Sequence, residues 1–378
     1  MKTPHYCQEA GLPWATVDLH CHTTLSDGCK TARELVSAAI NKGPVNAGHV
    51  ELLAVTDHDA VNDEAVALLK KEGIDTCEAA EISACDYEDG RQSFHMTYYA
   101  RVIGRRTRDV LAGIRGAREN KVRKQCALLA QNGFDIDFAD MEAEAARRKV
   151  ATDCLNNKDL AEAVLSRPAN VQRARDILAQ AVRDGKITPE GAAKFRLEAA
   201  YPFHFLDAFL KRDGTLAHIG CAPVPNYEPD VALVGELARE DGALATVAHP
   251  NFNWAGKGAA HFLKRLEKFA QLGVRGVELH AQADNAESAG AFGNGTFPEN
   301  WPNEKTLNWQ NAVRVGAERH GLFLTYGSDW HGKDDGKHGD LADLHPSFYE
   351  GGRDVTPRCA LDLVREFKRE FMRKIGVA

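Results

Sequence analysis

The stretch "VDLHCHTTLSDG", residues 17–28, ends an apolar run with two histidines one residue apart, followed by a turn that carries Asp27. Side chains alternate along a β-strand, so His20 and His22 are predicted to point to the same side. Imidazoles in this arrangement suit a transition metal when further ligands meet them. The alternative is two surface histidines in a polar loop, and the remaining sequence distinguishes the two interpretations.

Other apolar runs also carry histidines and acids at or beside their ends. These are His58 in "AVTDHDA", His95 in "RQSFHMTYYA", His249 in "ATVAHPNF", and Asp329 and His331 in "TYGSDWHG"; Glu81 lies between His58 and His95, in "EAAEISACD". Each signal alone has an ordinary explanation, such as a helix cap or a turn. In a barrel of parallel strands, however, the C-terminal strand ends converge on one face, where active sites are built. A convergent set of imidazoles and carboxylates without thiolates indicates a hydrolytic metal centre.

Bulk composition excludes several function classes. The chain has 378 residues, 44% hydrophobic content and a net charge of −7, which is typical of a globular protein. The negative charge argues against stable nucleic-acid or anionic-membrane partners, which require a basic surface. Nine cysteines without a C-x-x-C pair predict neither a disulfide framework nor a cysteine zinc site. With no apolar run near 18 residues, a cytoplasmic location is expected.

Short apolar runs alternate with helical patterns, which predicts an α/β fold. Strands are predicted at 15–19, 51–56, 97–103, 244–248, 273–279 and 322–327. Thr31 and Glu34 form a capping-box pattern that begins one of the helices. Between 105 and 213 the alternation stops, and segments such as "NVQRARDILAQAVRDG" predict a helical insertion, with the α/β domain formed by 1–104 and 214–378. Residues 281–304 are predicted to be a long loop.

The motifs "DLHCHTTLSDG", "AVTDHDA", "EIS", "FHMTYYA", "VAHP" and "GSDWHG" together resemble the successive motifs of the PHP (polymerase and histidinol phosphatase) family, in the family's order. The resemblance implies a distorted TIM-like (β/α)7 barrel with a metal centre at its C-terminal face, and phosphoesterase activity. A helical insertion after His95, with the basic segment "RENKVRKQCALLAQNG", is similar to the branch of small-molecule and nucleotide phosphatases.

The resemblance also implies the metal ligands, carried over position by position. Two or three divalent ions (Mn, Fe or Zn) would be bound. The first would be held by His20, His22, Glu81 and Asp329, the second by Glu81 as a bridge with His95 and His249, and the third by Asp27, His58 and His331. Beside them, Asp57 is expected to orient a ligand, and Asp59 is expected to cap the following helix.

Mechanism and substrate contacts follow from the same resemblance. Paired metals would supply a bridging hydroxide that attacks phosphorus, with Asp329 and His331 as the catalytic residues. His331, or alternatively the third metal, would assist the leaving group. The predicted substrate-binding residues are Arg118, Lys121, His218 and His280. The first two lie three residues apart on one helical face, although such charges commonly form a solvated surface.

The function predicted from the sequence is metal-dependent hydrolysis of a small phosphorylated molecule, such as a nucleotide, a bisphosphate or a sugar phosphate. An amidohydrolase-type reaction at a C–N or C–O bond by the same metal centre is the alternative. That group commonly has a carboxylated lysine at a strand end, and no predicted strand here ends in lysine. A third hypothesis is a non-enzymatic accessory module. It is disfavoured because all nine predicted ligand positions carry residues that can bind a metal.

Overall fold

The computed structural model describes residues 14–41, 48–198, 201–212, 214–222, 227–280, 303–332 and 357–377. The loop predicted at 281–304 lies outside these ranges, except for its last two residues, which begin a helix. The chain divides into two compact units, one formed by 1–112 and 228–378 and the other by 113–227. The division falls within one long helix, Arg105–Gln131.

The first unit contains two sheets and has a mixed α/β architecture. Its strands are β1 (Trp14–Asp18), β2 (Gly48–Leu53), β3 (Glu78–Asp86), β4 (Gln92–Ala100), β5 (Leu244–Val247), β6 (Gly276–His280) and β7 (Phe323–Gly327). β1 pairs with β2, and the other five strands pair in chain order. Six of these strands overlap those predicted from the sequence. The sequence did not predict β3, whose glutamates and alanines have low β propensity.

β4 runs antiparallel to both of its neighbours, whereas β5, β6 and β7 are parallel to one another. The barrel predicted from the sequence has parallel strands, so this part of the prediction is wrong for β4. Because β4 begins where β3 and β5 end, a residue near its start lies at their C-terminal edge. His95 is such a residue, and it therefore meets the strand-end residues of the parallel strands.

Hydrogen bonds beyond the strand ends join the two sheets. His22 N donates to Trp330 O at 2.8 Å, which connects the segment after β1 to the segment after β7. Asp59 N donates to Glu81 O at 2.8 Å, which connects the segment after β2 to β3. These contacts bring the histidine-bearing segments of both sheets to one end of the unit.

Helices lie between the strands and in the second unit. In chain order they are α1 (Ala32–Ile40), α2 (Asp63–Lys71), α3 (Arg105–Gln131), α4 (Phe138–Arg148), α5 (Asn157–Leu165), α6 (Pro168–Arg183), α7 (Pro189–Ala193), α8 (Pro202–Phe205), α9 (Ala217–Gly220), α10 (Val231–Asp241), α11 (Pro250–Trp254), α12 (Ala259–Leu272), α13 (Asn303–Arg319) and α14 (Pro357–Lys374). Thr31 and Glu34 form the predicted capping box of α1. Within the described ranges, every helix is too short or too polar to span a bilayer.

Each unit has its own apolar core. In the first unit, Tyr99 of β4 packs edge-on against Phe371 of α14, with ring centroids 5.3 Å apart, and donates its hydroxyl to Leu19 O. The second unit is helical, and its core includes the stacked rings of Phe205 and Phe209, 4.7 Å apart. The basic segment at 118–133 overlaps α3, and the helical segment predicted at 170–185 overlaps α6.

Candidate metal centre

The loop after β1 carries His20 and His22, both fully buried, and its shape is fixed by Asp57. Asp57 accepts hydrogen bonds from Thr23 N at 2.7 Å, Thr23 Oγ1 at 2.6 Å and Ser26 Oγ at 2.6 Å. Asn62, the N-cap residue of α2, donates to the same carboxylate at 2.9 Å. The orienting role expected for Asp57 is thus exerted on the whole loop, through its backbone and hydroxyl groups.

A single glutamate lies at the middle of the site. Glu81 of β3 is fully buried, and imidazole nitrogens surround both of its carboxylate oxygens. Oε1 lies 2.8 Å from His249 Nε2, 3.1 Å from His95 Nδ1 and 3.3 Å from His20 Nε2. Oε2 lies 2.9 Å from His58 Nδ1 and 3.3 Å from His22 Nε2. Five histidines from four segments of the chain therefore meet one carboxylate.

Two aspartates complete the cluster. Asp329 Oδ1 lies 3.3 Å from His20 Nε2 and 3.2 Å from His22 Nε2. Asp27 Oδ1 lies 3.2 Å from His331 Nε2 and 3.6 Å from His58 Nε2. The nine ligand residues predicted from the sequence are therefore neighbours in the structure, although they come from positions as distant as 20 and 331.

The donor atoms fit a metal ion better than they fit one another. His20 Nε2 and His22 Nε2 face each other at 3.1 Å. Among the described residues, the buried atoms Glu81 Oε2 and Asp27 Oδ1 have no hydrogen-bond partner of good geometry despite the surrounding imidazoles. Buried polar atoms are normally satisfied, so such a cluster calls for an additional partner. A divalent cation that accepts imidazole and carboxylate ligands meets that need.

Ligand atoms within 4.8 Å of one another form four groups in the described part of the chain. These are His20–His22–Asp329, His22–Asp27–His58–His331, His20–Glu81–His249 and His58–Glu81–His95. The first group contains three residues of the first predicted ligand set, and the second contains the third predicted set together with His22. The second predicted set is divided, because His95 and His249 fall in different groups that share Glu81.

The residues of the cluster have pKa values that are shifted in different directions. Burial and the neighbouring His331 lower the pKa of His22 to about 4. Burial opposes the charged form of His331, but Asp27 and Asp329 outweigh it and raise its pKa to about 9. Burial likewise opposes the ionised form of Glu81, but His58 and His95 hold the pKa of Glu81 well below its usual range. Such divergent pKa values within one cleft are typical of a functional site.

The cluster opens into a cavity of about 320 Å³ within the first unit. Beyond the predicted ligands, its lining includes Ser83, Ser93, Phe94, Glu228, Phe252 and Asn253. Phe252 is 45% exposed at this cavity, and its ring stands edge-on to His249 at 4.9 Å. A half-exposed aromatic beside the candidate ligands gives an incoming substrate an apolar surface.

The described residues that line this cavity do not test the predicted substrate-binding residues. Arg118 and Lys121 are partly buried on α3 in the second unit, and His218 is exposed on α9 of the same unit. His280 is the last residue of β6, where it pairs with Gly327, and its side chain lies outside the described part of the structure. These four assignments remain predictions.

Two acids have roles that the sequence did not reveal. Glu278 of β6 is fully buried, and its Oε2 lies 2.7 Å from His20 Nδ1. Asp18 accepts hydrogen bonds from His20 N at 3.1 Å and Ser328 Oγ at 2.6 Å, which ties the end of β1 to the segment after β7. A charged residue within the apolar segment "GVELH" is the signal that could have identified Glu278.

The expected helix-capping role of Asp59 is wrong. Asn62 caps α2, and its side chain accepts from Ala65 N at 2.9 Å. Asp59 instead accepts from Ser83 N at 2.7 Å and from Ser83 Oγ at 2.8 Å, which fixes β3 two residues after Glu81. Its backbone has a φ of 54°, a strained conformation of the kind that clusters at functional sites. His249 and Asp329 also have positive φ values.

Comparisons with known proteins show related sequences and folds. No family model matches the chain. A phosphoribosyl 1,2-cyclic phosphate 1,2-diphosphodiesterase of Eggerthella lenta is 25% identical over 329 residues, covering 84% of this chain and 94% of that protein. A 5'-3' exoribonuclease of Haemophilus influenzae is 43% identical over 68 residues, which cover 18% of this chain and 23% of that protein.

Two solved structures share the fold. A candidate metal-dependent phosphoesterase of Bifidobacterium adolescentis has a TM-score of 0.57 and 20% identity, covering 99% of this chain and 98% of its own. An amidohydrolase of Chromobacterium violaceum, with bound sulfate and no metal, has a TM-score of 0.54 and 21% identity, covering 89% of this chain and 95% of its own. In the order of its motifs and in its clustered ligands the chain is similar to PHP proteins, and the solved structures share its mixed α/β fold.

Proposed function

We propose that the protein is a metal-dependent phosphoesterase that hydrolyses a small phosphorylated molecule. The observation that carries this proposal is the environment of Glu81, where one buried carboxylate meets five histidines. Each of its two oxygens faces a separate set of imidazoles. A carboxylate so placed can bridge two metal ions, and two-metal sites are typical of phosphatases and nucleases.

The relatives favour a small substrate with a phosphate ester. The Eggerthella lenta protein, which is similar along almost its whole length, is named for hydrolysis of a phosphoribosyl cyclic phosphate. The cavity of about 320 Å³ is of a size to hold a small molecule. We therefore propose a sugar phosphate or nucleotide ester, including a phosphodiester, as the substrate class.

The predicted ligands would form three metal-binding sets. His20, His22, Glu81 and Asp329 would hold one metal, Glu81 with His95 and His249 a second, and Asp27, His58 and His331 a third. When bound, Mn, Fe or Zn ions would activate water and neutralise charge on the phosphoryl group. His331 Nδ1 donates to Asp329 O at 2.7 Å, so Nε2 is the atom presented toward Asp27. This orientation lets His331 bind a metal or pass a proton through Nε2.

We also propose a closed barrel for the α/β domain and a role in substrate binding for the helical insertion. The hydrogen bonds that join the segments after β1 and β2 to those after β7 and β3 favour a closed, distorted (β/α)7 barrel. The proposal that the helical insertion at 105–213 acts as a lid or substrate subdomain rests on the sequence, as does the assignment of Arg118, Lys121 and His218 to substrate binding.

Hydrolysis of a C–N or C–O bond is less well supported. The described residues that line the cavity include no lysine, and the residue that would bridge the metals is Glu81. The likeness to the Chromobacterium violaceum amidohydrolase is one of fold. A screen that places lactones and amides beside phosphate esters separates the two reactions.

The test is a phosphate-release screen over nucleotides, bisphosphates, cyclic phosphates and sugar phosphates, with metal analysis of the same protein. Mono- and diesters are both included, and cyclic substrates are followed by loss of the ring. We expect turnover that EDTA abolishes and Mn²⁺ restores. Asp329→Asn and His95→Ala should reduce kcat at least 100-fold, whereas Glu267→Ala, on the exposed face of α12, serves as the matched control. Metal-free protein with no turnover of any ester after Mn²⁺, Fe²⁺ or Zn²⁺ addition refutes the proposal.

A further inference from the structure

Beneath the candidate ligands, the five-stranded sheet carries a row of polar side chains on one face. Glu81 of β3 pairs with Thr97 of β4, and Thr97 pairs with Thr246 of β5. Residues directly opposite each other on neighbouring strands point to the same face. Thr97 and Thr246 therefore lie on the same face of the sheet as Glu81. The row of polar side chains runs from the candidate metal centre across the sheet.

The row extends through β6 and β7. Thr246 pairs with Gly276, and Glu278, two residues further along β6, pairs with Thr325. Because side chains alternate along a strand, Glu278 and Thr325 share the face of Thr246. Thr246, Glu278 and Thr325 are each fully buried. They form what we call the buried polar layer.

Three oxygens in this layer lack hydrogen-bond partners within the described ranges. They are Thr246 Oγ1, Thr325 Oγ1 and Glu278 Oε1, whereas the other oxygen of Glu278 is bound to His20. Burying a carboxylate oxygen without a donor is costly, and native interiors normally satisfy such atoms with protein groups or ordered water. Ordered internal water commonly makes about three hydrogen bonds to groups of this kind.

Packing explains why residue 276, which pairs with Thr246, is a glycine. A Cβ added at Gly276 would lie 2.8 Å from Thr246 Oγ1 and 2.9 Å from Phe323 O. The absence of a side chain at this position is therefore what allows the Thr246 hydroxyl to face the interior beside β6. The sequence retains a polar group there although valine would fill the same volume without an unsatisfied atom.

From this arrangement we propose that Glu278 is a positioning residue for His20, and that ordered water held by Glu278 Oε1, Thr246 and Thr325 fixes Glu278 in turn. The proposal rests on the metal centre of the proposed function. Carboxylate oxygens accept hydrogen bonds, so in the 2.7 Å contact with Glu278 Oε2 the proton lies on His20 Nδ1. His20 Nε2 is then left to face Glu81 and Asp329, each at 3.3 Å.

Fixing the tautomer matters because a metal binds the unprotonated ring nitrogen. Carboxylates that accept from the far nitrogen of a metal-binding histidine commonly raise metal affinity 10–100-fold. Glu278 reaches His20 from a strand about 258 positions away in the chain, so the constraint is imposed by the folded sheet. The loop that carries His20 and His22 would otherwise have to set the ring orientation alone.

The experiment measures Mn²⁺ affinity of the full chain by competition with a chelator, together with the thermal stability of the metal-free protein. Glu278→Ala should weaken Mn²⁺ binding about 10–100-fold. Glu278→Gln should have a smaller effect, because its amide oxygen still accepts from His20 Nδ1. Glu267→Gln, on the exposed face of α12, is the matched control and should bind Mn²⁺ as the wild type does.

Thr246→Val and Thr325→Val test the water. Each removes a hydroxyl at nearly constant volume, and each should weaken Mn²⁺ binding a few-fold, with water bound to Glu278 Oε1 visible in a high-resolution crystal structure of the wild type. The proposal is overturned if Glu278→Ala folds and binds Mn²⁺ like the wild type. A dry layer, with valine variants that bind Mn²⁺ normally, also overturns it. Absence of phosphoesterase activity with normal Mn²⁺ binding refutes only the proposed function.

Discussion

Replacing Asp57 with asparagine is predicted to loosen the loop that carries His22. The carboxylate is fully buried and accepts four hydrogen bonds, three from Thr23 and Ser26 and one from Asn62. Asparagine retains the shape and one acceptor oxygen, but it presents an NH₂ group where the second oxygen was. That NH₂ group would face the donor amide of Asn62, because Asn62 Nδ2 lies 2.9 Å from Asp57 Oδ2.

The magnitude follows from the bonds that are lost. A hydrogen bond to a charged group contributes about 1.5–3 kcal/mol, and a buried donor left unsatisfied costs a comparable amount. The Thr23 hydroxyl already accepts from Leu25 N and Asn62 Nδ2, so it has no lone pair left for the new NH₂ group. The contacts that Oδ2 makes with Thr23 and Asn62 are therefore the principal losses. We expect Asp57→Asn to lower the free energy of unfolding by roughly 2–4 kcal/mol.

Urea unfolding of the metal-free protein, followed by circular dichroism, measures this change. Asp109→Asn is the control, since Asp109 forms an exposed i,i+4 pair with Arg105 and such pairs contribute little. Mn²⁺ affinity measured in parallel should also fall, because the loop presents both His22 and Asp27. A loss of less than about 0.5 kcal/mol for Asp57→Asn, which is the ordinary range of a surface change, would refute the reasoning.

Three further changes test neighbouring features. Gly28→Ala should reduce both Tm and bound metal, measured by differential scanning fluorimetry and metal analysis, because its Cβ would lie 2.7 Å from the backbone of His22; unchanged metal content would contradict this. Asn62→Ala should cost about 1–2 kcal/mol in urea unfolding through loss of the α2 cap, with additional loss from the Asp57 bond; an effect below 0.5 kcal/mol argues against both contacts. EDTA should lower Tm by removing the cation that binds the clustered histidines and acids, and an unaltered Tm would count against a resident metal.

Local sequence patterns were enough to predict the chemistry of the site. His20-x-His22 uses the two-residue period of a strand, and the other ligands follow or begin apolar runs, so local pattern and strand polarity were enough to expect convergence. The α/β class and the helical character of segments in 105–213 were predictable for the same reason, since hydrophobic periodicity is a local property. β3 was missed because its glutamates and alanines give no local strand signal, although the fold buries them.

The groups that support those ligands are set by contacts between distant segments of the chain. Glu278 lies beside His20 only because β6 places it there, and no spacing in the sequence expresses a hydrogen bond across 258 positions. The antiparallel course of β4, which brings the start of a strand to the C-terminal edge, likewise depends on sheet pairing. Asp59 shows the same limit: its sequence position suits a helix cap, but folding places Ser83 within 2.7 Å of it. Which residues can bind a metal follows from local sequence patterns. How those residues are oriented depends on partners that are brought together only by folding.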